Sequence, residues 1–417
     1  MDARGCPSYG THRGGFFSRR AGPAHGHDAQ RYFYPARFLG KGGKIKMFEF
    51  PMRKKKCSVP EHFPGRKRKR SGTILVSVLW ILVILTVLTV SLGRNTHVEL
   101  SLVKHAVGKV KSKYIAWAGF VYAVERIRED SADTDAAKQD TLYQCGVRLG
   151  DEESPQEAFQ NITVGDGYFD VQYVPGGQEG KKIYYGLRDE ERRININALT
   201  VQNYNILSAL VNVLGFDDET AKTIACAVLD WKDEDDSPVD AAYGAEDDYY
   251  GSLAGARRCK NRSFDSPEEL LLVRGMTREI YDALKDYVTV FPKQGTLQVN
   301  FDTAPAVVLT ALARAMSTVL PNAAPSDADA LVEKILRYRQ GEDGAVFTRD
   351  DRVVGLNEMS VNATERNLFL AMSQFRTYTS NYLRVRVKGT EKARGAQAVV
   401  EAVVYRNDLS TLSWHRD

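Results

Sequence analysis

The chain is short of histidine, and the few it has lie toward its ends. Six of the seven (His12, His25, His27, His62, His97 and His105) precede position 106, and the seventh is His415. The span between them has no histidine general base, no Ser-His-Asp triad and no imidazole to ligate a metal. P-loop, GxSxG and HExxH patterns are also missing. Cysteine is scarce: Cys6, Cys57, Cys145, Cys226 and Cys259, with no CxxC pair, which argues against zinc and thioredoxin-like redox sites. Paired carboxylates do occur, and two suffice for a glycosidase. Their crowding in one loop reads as metal binding instead, so the chain is not expected to be an enzyme.

Charge is also missing where it matters. From Thr73 to Leu92, twenty residues pass without an ionisable group. As a helix this run spans about 30 Å, a bilayer's hydrocarbon thickness. Just before it, Arg53 to Arg70 carry nine Lys/Arg against Glu61 alone, which keeps the N-terminal side cytoplasmic and sends the rest out. If the rest is exported, Cys226 and Cys259 could form a disulfide. A cleaved secretory signal has a shorter apolar core and a small-residue cleavage site beyond it. Neither is present, and the pattern continues as a helix. Val98, Leu102, Val103, Val107, Val110, Tyr114, Trp117, Val121, Val124 and Ile127 recur at three- and four-residue steps. One rod from Thr73 to about Arg128 is expected, apolar all round and then amphipathic.

A basic leader, a glycine, an apolar half-helix and an amphipathic half-helix together resemble the type IV pilin-like proteins. The resemblance implies a cut by an inner-membrane prepilin peptidase between Gly72 and Thr73, with methylation of the new N-terminus. It departs from the pattern at Thr73, where Phe or Met is usual, and at Ser77, where the fifth mature position usually holds Glu. A carboxylate in lipid is costly unless paired, and a subunit at a filament tip has no neighbour above it to pair with. The K class of type II secretion pseudopilins lacks this Glu. Residues 1–72 are long for a leader, and initiation at Met47 or Met52 would give a more usual one.

Beyond the helix, "YFDVQYV" (168–174) and "KKIYYGLRDEERRINI" (181–196) are read as a hairpin around a Pro-Gly-Gly turn. "YLRVRVKG" (382–389) and "AQAVVEAVVYRN" (396–407) form a second, around Gly395. Between them lies a helical middle with a repeat. "ININALTVQNYNILSALVNVLG" (194–215) aligns with "LQVNFDTAPAVVLTALARAM" (297–316), and the segment starting at Phe264 with the one starting at Phe347. The resemblance now covers nearly the whole chain from Arg66. It implies an α+β fold: a pilin-like helix on a small antiparallel sheet, with an inserted all-α region of two SAM-like modules. The expected parts are a leader over 1–72, the helix over 73–128 and a β region over 129–193. They continue as modules over 194–292 and 293–380 and a C-terminal hairpin and tail over 381–417.

Leu229 to Tyr250 hold nine Asp/Glu against Lys232. Hard oxygen ligands in a loop suit Ca²⁺, although composition alone also fits a solvated acidic loop. The spacing is not that of an EF-hand, since Gly244 stands where the bidentate Glu would be. The match of "DWKDEDD" and "GAEDDYY" to the K-class pattern implies a calcium site drawn from Asp230, Asp233, Asp235, Asp236, Glu246 and Asp247. It also implies a minor pseudopilin at the tip of a periplasmic filament. Its expected partners are the I- and J-class minor pseudopilins, the prepilin peptidase, the inner-membrane secretion platform and secreted substrates. Two rivals remain. A helix-hairpin-helix DNA receptor is one, disfavoured because the turn "LGFDDETA" offers one Gly and two Asp to phosphate. A type IV pilus tip protein is the other.

Overall fold

The computed structural model describes residues 72–416 apart from 134–138, 151, 176–181, 254 and 256, and leaves aside the side chains of Asn95 and His97. The leader expected over 1–72 lies, except for Gly72, outside the described residues, as do Cys6 and Cys57 and the glycines of the Pro-Gly-Gly turn.

Helix α1 (Thr73–Ala132) is continuous over 60 residues and ends four residues later than expected. Its apolar stretch is long enough to cross a membrane, and none of that stretch is buried. A short helix α2 (Pro155–Phe159) follows, started by Ser154 and Glu157, which cap each other's backbone N–H groups. Then come β1 (Ile162–Val164), β2 (Gly167–Tyr173), β3 (Tyr184–Tyr185) and β4 (Arg188–Asp189). The helical middle comprises β5 (Ile194–Asn195), α3 (Asn205–Val213), α4 (Asp218–Asp230), α5 (Asp247–Gly251), α6 (Arg278–Leu284) and β6 (Val288–Thr289). It continues through β7 (Val299–Asn300), α7 (Ala306–Ser317), α8 (Pro325–Arg339), α9 (Ala363–Met372) and β8 (Arg376–Thr377). The chain closes with β9 (Tyr382–Glu391), β10 (Gln397–Tyr405) and β11 (Thr411–Arg416).

The main sheet runs β1-β2-β9-β10-β11, with β3 beside β2 and β4 beside β9. The C-terminal hairpin forms as expected, and Gly395 turns it at a φ of +67°. The tail beyond it is not irregular: β11 is an edge strand. The first hairpin is only partly as expected. β2 pairs with two residues of β3, and the chain then crosses to β9, where Asp189 faces Leu383. Residues 190–193 leave the sheet because they offer four successive charges and no alternation, and each is buried.

The second half of α1 lies on this sheet. Ile115, Ala116, Phe120, Ala123 and Ile127 pack against Phe169, Val171, Val385, Val387, Val400 and Ala402. Each large buried side chain here contributes about 1.5–3 kcal/mol. Small residues let the layers close: a Cβ on Gly389 would strike the helix backbone at Ala116 and Ser112. Of the stripe that periodicity suggested, Ile127 is fully buried and Val124 packs partly against the core, but most of it is not the buried face. Val107, Val110, Tyr114, Trp117 and Val121 are roughly half exposed or more, on a second apolar face.

The repeat in the middle is visible atom by atom. β5 pairs in parallel with β6, and β7 with β8. Asn195 Oδ1 accepts the Asn197 N–H (3.0 Å), and Asn300 Oδ1 accepts the Asp302 N–H (3.1 Å). After the second helix of each unit, a cation reaches back to the carbonyls before the first helix. Lys232 Nζ donates to Asn197 and Leu199, and Arg339 to Phe301 and Ala304. The later half of the repeat needs a register correction. Asn197 Oδ1 receives the Phe264 N–H (2.8 Å), and its counterpart Asp302 Oδ1 receives the Val354 N–H (2.7 Å). Val354, not Phe347, is therefore the partner of Phe264. Phe347 instead stacks on Tyr184 of β3 at 4.0 Å. The two modules also share one core, because α3 packs on α7 and buried apolar side chains run unbroken from Ile194 to Met372.

Candidate functional site

Two places carry the residues singled out above: the start of α1 and the loop after α4. Gly72, Thr73 and Ser77 are all exposed. Thr73 is the first residue of α1, and Ser77 lies about one turn in. The acidic loop is more elaborate. Asp217 caps α4, its Oδ1 taking the Thr220 N–H at 2.9 Å. The helix runs into the core and ends at Asp230, which is fully buried. Asp230 is the organiser of the loop: Oδ1 accepts the Val239 N–H (2.8 Å) and Oδ2 the Ala245 N–H (2.5 Å). Gly244 sits against this carboxylate so closely that any Cβ would collide with Asp230 Oδ2, Pro238 and the Asp240 carbonyl. That contact is why glycine occupies the position.

Other expected ligands are partly committed to the backbone. Asp235 Oδ1 accepts the Ser237 N–H, and Asp247 Oδ1 the Cys259 N–H at 2.7 Å. Asp236 is exposed on the rim. Asp233 and Glu246 differ. Glu246 is 4% exposed, yet neither of its carboxylate oxygens has a hydrogen-bond partner, and Asp233 Oδ1 is likewise buried and bare. Burial, followed by the charges of Asp230, Asp233, Asp235 and Asp236, pushes the Glu246 carboxyl up to about 8. Burial, followed by Asp230 and Asp235, pushes Asp233 up to about 6. The structure therefore brings five of the six expected residues into one electrostatic cluster. Among the described residues, no three His, Cys, Asp or Glu side chains stand already gathered around a metal-sized point.

One residue escaped sequence reasoning. Asn261 holds a left-handed φ of +50° and donates its N–H to the Trp231 carbonyl (3.1 Å), which brings it beside the loop. Its Oδ1 is a further buried oxygen without a partner. A neutral Asn in a charged stretch gives no signal, although an Asn in a loop is one of the few residues that readily take that conformation.

Trp231 and Tyr250 are core, 5.1 Å apart edge to face, and Tyr249 joins them. Arg274 lies over Tyr249 and donates to the Gly244 and Ala242 carbonyls, clamping the loop from outside. The expected Cys226–Cys259 disulfide is absent: both are buried free thiols. Cys259 Sγ faces the Asp230 carbonyl at 3.2 Å, which gives that thiol a partner inside the loop's own packing. Burial raises Cys259 to about 12 and Cys226 to about 11, so neither thiol is reactive.

Residues 192–293 match the family model described as type II secretion system (T2SS), protein K. A putative type II secretion system protein K of Escherichia coli K12 is 26% identical over 234 residues, 54% of this chain and 63% of that protein. Type II secretion system protein K of Aeromonas hydrophila is 26% identical over 251 residues, covering 57% and 68%. The matched stretch thus spans about two thirds of these relatives' length. A chain in the crystal structure of the GspK-GspI-GspJ complex from the enterotoxigenic Escherichia coli type 2 secretion system shares the fold. Its TM-score is 0.50 at 18% identity, and the likeness covers 74% of this chain and 96% of that one.

Proposed function

We propose that the chain is a type II secretion system protein K and, on that premise, the minor pseudopilin at the tip of a periplasmic pseudopilus. The observation that carries the reading is α1. Its first third is apolar on all sides and unpacked, and its second half spends one face on the sheet and leaves another apolar face largely exposed, with Trp117 against Trp414 of β11 at its edge. Such a rod serves first as a membrane anchor, N-terminus inside, and then as a contact for neighbouring helices. I- and J-class minor pseudopilins are the proposed neighbours along Val107, Val110, Tyr114, Trp117 and Val121, in line with the complex in which the structural relative was crystallised. The neutral Ser77 and the broad helical head both suit a subunit with nothing above it. In this role the protein starts pseudopilus assembly and supports secretion across the outer membrane.

The acidic loop is proposed to hold calcium. Four buried oxygens without partners, Glu246 Oε1 and Oε2, Asp233 Oδ1 and Asn261 Oδ1, are all acceptors, and an oxygen-seeking cation satisfies such a set where more donors do not. Calcium there would neutralise the cluster and fix the loop on the head. The DNA-receptor alternative meets a specific obstacle. The N–H that a phosphate would use at the start of α4 is already taken by the Asp217 carboxylate.

Processing is the direct test. Substituting Gly72→Val is expected to leave the leader attached, seen as a heavier band, and to abolish secretion of type II substrates. Normal processing with normal secretion in that strain would remove the pseudopilin reading.

A further inference from the structure

A cleft of about 570 Å³ opens between the first module and the sheet face turned away from α1. Arg384 and Arg386 of β9 and His415 of β11 line it from the sheet, and Tyr281 of α6 from the module. Arg188 and Arg193, from the segment joining the two parts, line it as well. Arg193 is 4% exposed; it donates Nη2 to Glu190 (2.9 Å) and Nη1 to the Val288 carbonyl (3.3 Å), and its Nε is buried with no partner. Arg188 donates Nη2 to the Pro175 carbonyl (3.0 Å), and its buried Nε also lacks a partner. Among the described residues, no carboxylate lies within ion-pair distance of Arg188.

The nearby acids are largely committed elsewhere. Glu190 is shared between Arg193 and Arg384 and takes the Thr289 hydroxyl. Glu401 is shared between Arg384 and Arg386. Asp265 is held by Lys260 and Lys293, and Glu268 by Ser266 and Tyr281. Burial, then the neighbouring guanidiniums, lowers Arg188 to about 10, with Glu190 and Asp286 only partly offsetting this. Arg193 is lowered too, by burial first and then by Arg188. At the inner end of the cleft the guanidiniums of Arg188, Arg193 and Arg384 thus outnumber the Glu190 carboxylate, with Asp286 a further acid on the lining.

We propose that this cleft is an oxyanion-binding site, in which Arg188 and Arg193 receive a carboxylate or phosphate group of an incoming ligand. An oxyanion supplies the acceptors that the two Nε–H groups lack and matches the planar fork of a guanidinium. Its source is either an acidic side chain of a polypeptide or a phosphate-bearing molecule, and the cleft has room for more than the anion itself.

The test uses the full chain in detergent micelles, titrated with inorganic phosphate and, separately, with a capped tetraglutamate peptide, followed by calorimetry. Saturable binding of at least one probe is expected, unchanged by EDTA, and weakened at least tenfold by Arg188→Gln. Arg386→Gln, at the half-exposed wall, should weaken it less, and Arg278→Gln, outside the cleft, should not change it. Binding of tetraglutamate alone assigns a polypeptide carboxylate, and binding of phosphate alone a phosphate-bearing ligand. If neither probe saturates, or if both Arg188→Gln and Arg386→Gln bind as the parent does, the site does not exist. The EDTA arm keeps this outcome separate from the fate of the calcium reading.

Discussion

The two helical modules are built on one plan and use their acids in opposite ways. In the second module, Asp350 Oδ2 accepts the Glu342 and Asp343 N–H groups, and Asp351 Oδ2 those of Phe347 and Thr348. These two carboxylates shape a turn, and of their oxygens only Asp351 Oδ1 is left buried and bare; elsewhere in the module Asp302 Oδ2 is bare as well. In the first module the organising task falls to Asp230, and three carboxylate oxygens of Asp233 and Glu246 are left over together with that of Asn261. Acids at the same place in the repeat therefore do not mean the same chemistry. What separates the turn from the proposed cation site is whether backbone N–H groups have already claimed the oxygens.

The sharpest way to break this contrast is to remove the leftover carboxylate on one side and its nearest counterpart on the other. Glu246→Gln is expected to weaken calcium binding more than tenfold, about 1.4 kcal/mol or more, and to abolish the rise in melting temperature with calcium. Asp351→Asn should leave both intact. Equal losses would show that the modules do not differ as described. The same measurement has a pH signature. The folded-state pKa of Glu246 is raised, so the metal-free protein holds a proton there that the unfolded chain has lost. Stability from this group is full below about 4.5 and is lost as pH rises through about 8. Calcium needs the ionised form, so its stabilising effect should grow across that window.

A stability measurement tests what the modules have in common. Arg339→Met and Lys232→Met each remove a buried or half-buried cation that ties together carbonyls. Each should cost about 1.5–3 kcal/mol by denaturant unfolding, with Arg339 the larger because it is the more buried. A loss confined to one of them would weaken the case for a true repeat. The smallest effect expected is none: dithiothreitol should leave the melting temperature unchanged, because Cys226 and Cys259 are thiols.

Much of the architecture can be read from the residues. The silence of charge from Thr73 to Leu92 announces α1, and strict alternation around Gly395 announces the C-terminal hairpin. The matching Asn195 and Asn300 announce the repeat, since both serve the same side-chain turn. The face by which α1 meets the sheet was not legible. Periodicity gives weight to bulky residues, whereas a helix lying flat on a sheet buries small ones such as Ser112, Ala116 and Gly119 and leaves Tyr114 and Trp117 outside. The segment from Asp189 to Arg193 was misread because its charges look solvated in isolation. Their partners, among them Asn300, Thr303, Asn381 and Arg384, lie more than a hundred residues away. The acidic loop was legible as a cluster but not in its roles, because backbone hydrogen bonds decide which oxygens are spare.

The pairing of Asp189 with Leu383 also bears on how such a protein arises. The two ends of the whole helical head leave the sheet from facing positions on neighbouring strands, about 5 Å apart in any antiparallel ladder. A tight turn would bridge the same gap. The head is thus a guest at a single rung of a small host, and its gain or loss would leave the host's strand order untouched.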